Sequence, residues 1–226
     1  MRTVERSLSF AYRMPLRLGE TLRGHMTKQI VASPTASLSI RGKVTGSGIL
    51  SVRSRARVWI ERGGVLSIDG QCVLFSGSLI HVRAGETVSL GSNVSIQEGG
   101  MILGDVAIGG DSLLAPRVFL SSGTHLFDRE TSLTIREQEA RYAVASKPIS
   151  VGRNCWLGIG SVLMPGVTLG DSVVVGANSV VTRDFGAQQV LGGVPARVLR
   201  SIRSTTLTDP PGSVSRKPPQ GDPHAP

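Results

Sequence analysis

Four histidines are the side chains of this 226-residue chain whose ordinary charge change falls near neutral pH, and their surroundings differ. His224 lies in a proline-rich end and His25 in a basic N-terminal stretch, so both read as solvated or structural. His81 stands inside the regular segment "SLIHVR", where a surface or partly packed imidazole is the plain reading. His125 closes "LSSGTH", the last regular segment before the charged stretch of residues 126 to 150, "LFDRETSLTIREQEARYAVASKPIS". A neutral imidazole on a turn, facing a cleft roofed by a long loop, is well suited to take a proton near pH 7. Asp128 is placed to orient that ring, to contact a bound acceptor, or simply to solvate the loop. Arg129, Glu130, Arg136, Glu137 and Glu139 read as solvating charges of the loop. Cys72 and Cys155 form neither a disulfide framework nor a zinc or CxxC motif, so reduced core thiols and no metal centre are expected.

The elements that hold His125 are legible as a period of six. Residues 151 to 186 divide into VGRNCW, LGIGSV, LMPGVT, LGDSVV, VGANSV and VTRDFG, with Val151, Leu157, Leu163, Leu169, Val175 and Val181 leading and Cys155, Ser161, Val167, Val173, Ser179 and Phe185 fifth. The same cut from Ile60 gives eleven more hexads ending at His125. Helices need apolar spacing near 3.6, and Gly, Val, Ser and the internal Pro116 and Pro165 disfavour them. Short strands joined by turns fit instead, each turning one large aliphatic and one small residue inward, in the manner of a β-solenoid. Counted in hexads, His81 and His125 fall on different faces of such a solenoid.

Domain expectations follow. Residues 1–36 form a basic, partly helical segment, 37–203 the solenoid with residues 126–150 extruded as a loop, and 204–226 a disordered proline-rich tail. Residues 1 to 60 hold eleven Lys or Arg against Glu5 and Glu20, while the remainder is neutral. A basic front end suits an anionic surface, including peripheral contact with a membrane, or an ordinary solvated face; a nucleic-acid partner is not expected. No signal-peptide or membrane-spanning run appears in the first thirty residues, which suggests a cytoplasmic protein.

With the hexads, the loop after Thr124 and His125, and the runs "KPISVGRNCWLGIGSVLMPGVTLG", "GANSVVTRD" and "GGVPARV" together, the chain resembles the hexapeptide-repeat acyltransferases. It is most similar to their sugar branch of galactoside, maltose and polysaccharide O-acetyltransferases, in which "IREQ" is also common. The resemblance, covering roughly residues 60 to 203, implies an all-β, left-handed parallel β-helix. Parallel crossovers are right-handed by default, so that hand comes from the family alone. A homotrimer with sites between subunits is likewise implied, as are acetyl-CoA as donor and a sugar or glycan hydroxyl as acceptor.

The resemblance also implies roles. His125 occupies the position of the family's catalytic base, and the main chain of Ile159 that of an oxyanion donor. Trp156 matches a tryptophan lining the acceptor site, with packing against a neighbouring subunit as its other reading. Ala177 matches the pantetheine contact, and Thr182, Arg183 and Arg200 the phosphates and adenosine of coenzyme A. Gln97, with Glu98 beside it, stands near a family amide that binds sugar, or is a plain turn residue. Competing readings are N-acylation of an amino sugar and a non-catalytic trimeric assembly protein. A zinc enzyme of the carbonic anhydrase type on the same solenoid is disfavoured by the separation of His81 from His125.

Overall fold

The computed structural model describes residues 28–142 and 146–202. Its strands fall into three sheets, the three faces of a parallel β-solenoid. Face one runs from Ile30–Ala32 through Ile49–Val52, Gln71–Leu74, Ser95–Ile96, Leu113–Leu114, Trp156–Leu157 and Val174–Val175 to the hairpin Gln189–Gly193 and Ala196–Ser201. Face two stacks Ser37–Ile40, Arg57–Ile60, Leu79–Val82, Met101–Leu103, Phe119–Ser121, Val162–Leu163 and Val180–Val181. Face three stacks Lys43–Thr45, Val65–Ile68, Thr87–Leu90, Val106–Ile108, Ile149–Val151 and Thr168–Leu169. Among the described residues only the closing hairpin pairs antiparallel, which caps the last coil with the largely exposed strand Ala196–Ser201.

Alternation within each strand sends every second side chain inward, and stacking aligns like residues. On face one, Val52, Leu74, Ile96, Leu114, Leu157, Val175 and Leu191 form a fully buried column, and Cys72, Ser112, Cys155 and Val173 the small-residue column beside it. Burial raises the pKa of both Cys72 and Cys155, which are free and buried, so they remain thiols. Turns are tight where coils touch: a methyl on Gly158 would stand 2.7 Å from the Val175 carbonyl oxygen.

Two expectations change. The solenoid begins at Ile30, ahead of residue 37. The period of six holds from Leu90 onward, but the earlier coils advance by twenty residues in the first turn, as in Leu38↔Val58, and then by twenty-two, as in Val58↔Ile80 and Ile80↔Ile102, against eighteen in Ile102↔Leu120. Their strands carry four residues instead of two or three, and Ala84, which the hexad cut placed at a leading position, is an exposed turn residue. The helical reading of the N terminus and the disordered reading of the tail lie outside the described residues, apart from the first strands. Among the described residues no helix is long and apolar enough to cross a membrane.

Candidate active site

The chain leaves face two after Ser121 and returns to face three at Ile149, so the excursion springs from one edge of the prism. Ser122 fastens its neck. Fully buried, its Oγ accepts from Asp105 N–H at 2.8 Å and from Ser146 Oγ at 2.8 Å, donates to Glu86 Oε1 at 3.5 Å, and its carbonyl accepts from Lys147 N–H at 2.8 Å. Glu86 is itself buried and pairs with Arg83 Nε at 2.9 Å. Ser122→Ala strands the Asp105 amide, so urea unfolding should show a loss of about 1–3 kcal/mol.

The excursion is built, not loose. Thr134 and Glu137 form a capping box that starts the helix Ile135–Arg141. Buried Gln138 takes the amides of Arg129 and Glu130 on Oε1 and donates to the Leu133 carbonyl. Glu130 receives Arg141 at 3.1 Å and the Tyr142 hydroxyl at 2.7 Å, which raises the phenol's pKa, and Arg129 stacks 4.8 Å from the Tyr142 ring. Four of the five charges read as solvating, Arg129, Glu130, Glu137 and Glu139, therefore have structural partners instead. The Thr134–Glu137 pair was a sequence signal for this helix; nothing comparable marked Glu139.

Glu139 meets His125. The imidazole Nδ1 lies 2.5 Å from Glu139 Oε1, and the histidine side chain is 80% exposed where the carboxylate is 30% exposed. A carboxylate on Nδ1 fixes that nitrogen as the donor and leaves Nε2 with its lone pair, the state of a general base. Asp128, by contrast, is exposed, and the ring's partner is Glu139. His125 and Glu139 open onto a cleft of about 670 Å³ walled by Phe119, Leu163, Met164 and Pro165 and floored by His81, Arg83 and Gly123. A methyl on Gly123 or Gly104 would stand 2.7 or 2.8 Å from Arg83 Nη2, so these glycines make room for the guanidinium under the loop.

His81 is thus a correction. It pairs through Leu103 to Ser121 in direct register, so it lies on face two, on the strand column that leads to the excursion, and lines the same cleft as His125. The longer early coils explain the error, since counting them as eighteen rotates His81 off its face. The separation argument against zinc fails with it, but His81 is committed to Glu61 at 2.9 Å. Among the described residues no group of three His, Cys, Asp or Glu side chains is placed to hold a metal.

The other predicted residues do not converge within one chain. Ile159 and Ala177 stack on the edge between faces one and two, linked by Asn178 N–H to the Ile159 carbonyl at 2.8 Å. Neither residue's own N–H finds an acceptor among the described residues, so both are free for a ligand. Gln97 lies half-buried lower on that edge, its carbonyl accepting from Ser78 Oγ. Trp156 is 52% exposed on face one, between Leu113 and Val174. Arg200 is exposed on the last strand of the same face. Thr182 and Arg183 stand on the His125 edge, where the Arg183 guanidinium covers Phe185 at 4.8 Å.

Comparison with known proteins follows the same lines. Residues 148–183 match the model of the hexapeptide repeat of succinyl-transferase. Galactoside O-acetyltransferase of Escherichia coli is 38% identical over 125 residues, 54% of this chain, and the match spans 58% of that enzyme. A Dictyostelium discoideum protein inferred to be an acetyltransferase is 33% identical over 190 residues, 80% of this chain and 95% of its own length. Among solved structures, a mutant of the Bacillus cereus N-acyltransferase AntD, in complex with dTDP and coenzyme A, superposes with a TM-score of 0.57 at 17% identity, over 71% of this chain and 84% of its own, and so shares the fold. The repeat, the three-faced parallel coils and a relative matched along nearly its whole length identify the chain as a member of the hexapeptide-repeat acyltransferase family.

Proposed function

We propose that the protein transfers an acetyl group from acetyl-CoA to a sugar hydroxyl, with His125 as general base. The observation that carries this reading is the His125–Glu139 pair opening onto the cleft beneath the excursion. In the proposed reaction, Nε2 of His125 removes the proton of the hydroxyl as its oxygen bonds to the thioester carbonyl carbon. The tetrahedral oxyanion is met by a backbone N–H, for which Ile159 is the candidate. Collapse breaks the carbon–sulfur bond, and the imidazolium returns its proton to the departing thiolate. No acyl-enzyme is needed, and the two cysteines are buried in the core, away from any such role.

Ile159, Ala177 and Trp156 sit away from the edge that bears His125. Residues on different edges of one prism act on one substrate only across an interface between copies, so the reading includes a homotrimer in which the donor lies between two chains. Coenzyme A then meets the free amides of Ile159 and Ala177 from one copy, and Thr182, Arg183 or Arg200 supplies groups for its phosphates.

The test is thiol release from acetyl-CoA with a panel of sugars and short glycans, compared with Glu139→Gln. The amide no longer matches a donating Nδ1 and does not compensate the imidazolium, so kcat should fall about 10- to 100-fold. The KM for acetyl-CoA should hold, and Glu139→Asp should recover part of the rate. Unchanged turnover in Glu139→Gln would remove the assigned role of the pair.

A further inference from the structure

Below the His125 cleft, face two continues as a column of outward side chains in direct register: Ser39, Trp59, His81, Leu103 and Ser121. Successive strands of a sheet lie about 4.8 Å apart, so Trp59 stands about 14 Å from Ser121 along the prism. Around Trp59 a second, open cleft of about 310 Å³ is lined by Ser39, Arg41, Glu61 and His81. His81 lines both clefts, so the two adjoin at its side chain. The indole is held in place: His81 meets it edge-on at 5.7 Å, and the Arg57 guanidinium lies 5.4 Å from its centroid. Glu61, the one carboxylate of this cleft, is occupied by His81 Nε2 and the Ala84 N–H, and these bonds lower its pKa. Arg41 is exposed and forms no ion pair among the described residues.

A partly buried, braced indole that lines an open cleft is a platform for the apolar face of a sugar ring, and guanidinium groups beside it suit the carboxylates of acidic sugars. We propose that this second cleft is a carbohydrate subsite, and that the acceptor is an extended acidic glycan lying along face two with one residue at His125 and a distal residue on Trp59. The inference rests on the sugar-transferase reading and narrows its substrate from a single sugar to a chain.

The probes are galacturonic acid, its α-1,4-linked hexamer and maltohexaose, titrated into the full-length protein by calorimetry without donor. The galacturonate hexamer is expected to bind at least about tenfold more tightly than the monomer and than maltohexaose. Trp59→Ala should abolish the gain with length. Arg41→Gln, at an exposed position with no fold to disturb, should weaken the acidic hexamer and leave maltohexaose unaffected. Affinity independent of chain length, or a length gain that survives Trp59→Ala, overturns the subsite; equal affinity for maltohexaose overturns the acidic acceptor. Because no acetyl-CoA is present, these results stand apart from thiol release: a protein that acetylates short sugars yet shows no gain with length loses this inference and keeps the activity.

Discussion

Replacing His125 with alanine should lower acetyl transfer by about 10²- to 10⁴-fold, the range that a positioned general base contributes. Solvent water is then the remaining base, and an alcohol is far too weak an acid to attack a thioester unaided. Three further measurements separate loss of chemistry from loss of structure. The side chain is 80% exposed, so unfolding free energy should move by less than about 0.5 kcal/mol. Acetyl-CoA affinity should hold, because the groups proposed to meet the donor lie on other coils. Adding Glu139→Gln to His125→Ala should cost little more, since the carboxylate acts through the ring, and double-mutant non-additivity is the signature of such a pair. A variant lacking His125 that transfers at the wild-type rate would leave the fold assignment intact and return the non-catalytic assembly reading to first place.

His125 was legible as a candidate base because its signal was positional: a histidine at the last regular turn before a charged interruption. Its partner was not. Which of the excursion's carboxylates reaches the ring depends on how residues 126 to 142 fold on themselves, and Gln138 and Glu130 decide that through contacts with no sequence period. The solenoid itself was legible from Leu90 to Val181, where every sixth residue is a buried aliphatic outside the excursion. The earlier coils misled for a specific reason. Ile60 to Ile68 and Val82 to Leu90 are steps of eight, which differ from six by an even number, and strands forgive even shifts because inward positions recur every two residues. Leu66, Cys72 and Ser78 therefore kept the false hexads inward, and only exposed Ala84 betrayed them. The cost of that error fell on His81, which a correct count places under Ser121 on face two, at the cleft that His125 also lines. Trp156 and Ile159 were legible as residues but not as neighbours, since one chain does not bring them to His125.

Leu114→Ala should be the most damaging of the simple truncations, at about 2–5 kcal/mol. Leu114 has no exposed surface and stands at the middle of the face-one column, between Ile96 below and Leu157 above. Relaxation normally softens such a loss, but here the walls are held by parallel ladders on both sides, with Gln97 N–H on the Leu114 carbonyl at 2.9 Å and Ala115 N–H on the Leu157 carbonyl at 2.9 Å. Coil spacing is fixed by these bonds, so the column has little room to close over the missing methyls, and the effect should lie toward the upper end of that range. Position adds a second consequence. In a solenoid each coil is stabilised mainly by its two neighbours, and Leu114 belongs to the last coil before the chain departs into the excursion. Weakening it loosens the contact between the coils before and after that break. Urea unfolding of Leu114→Ala is therefore expected to show both a lower midpoint and a broadened or split transition, as the two halves lose their coupling. Leu38→Ala, at a half-buried position in the first coils, should shift the midpoint much less and keep a single transition. Equal effects at the two sites would mean that stability is shared globally rather than passed from coil to coil.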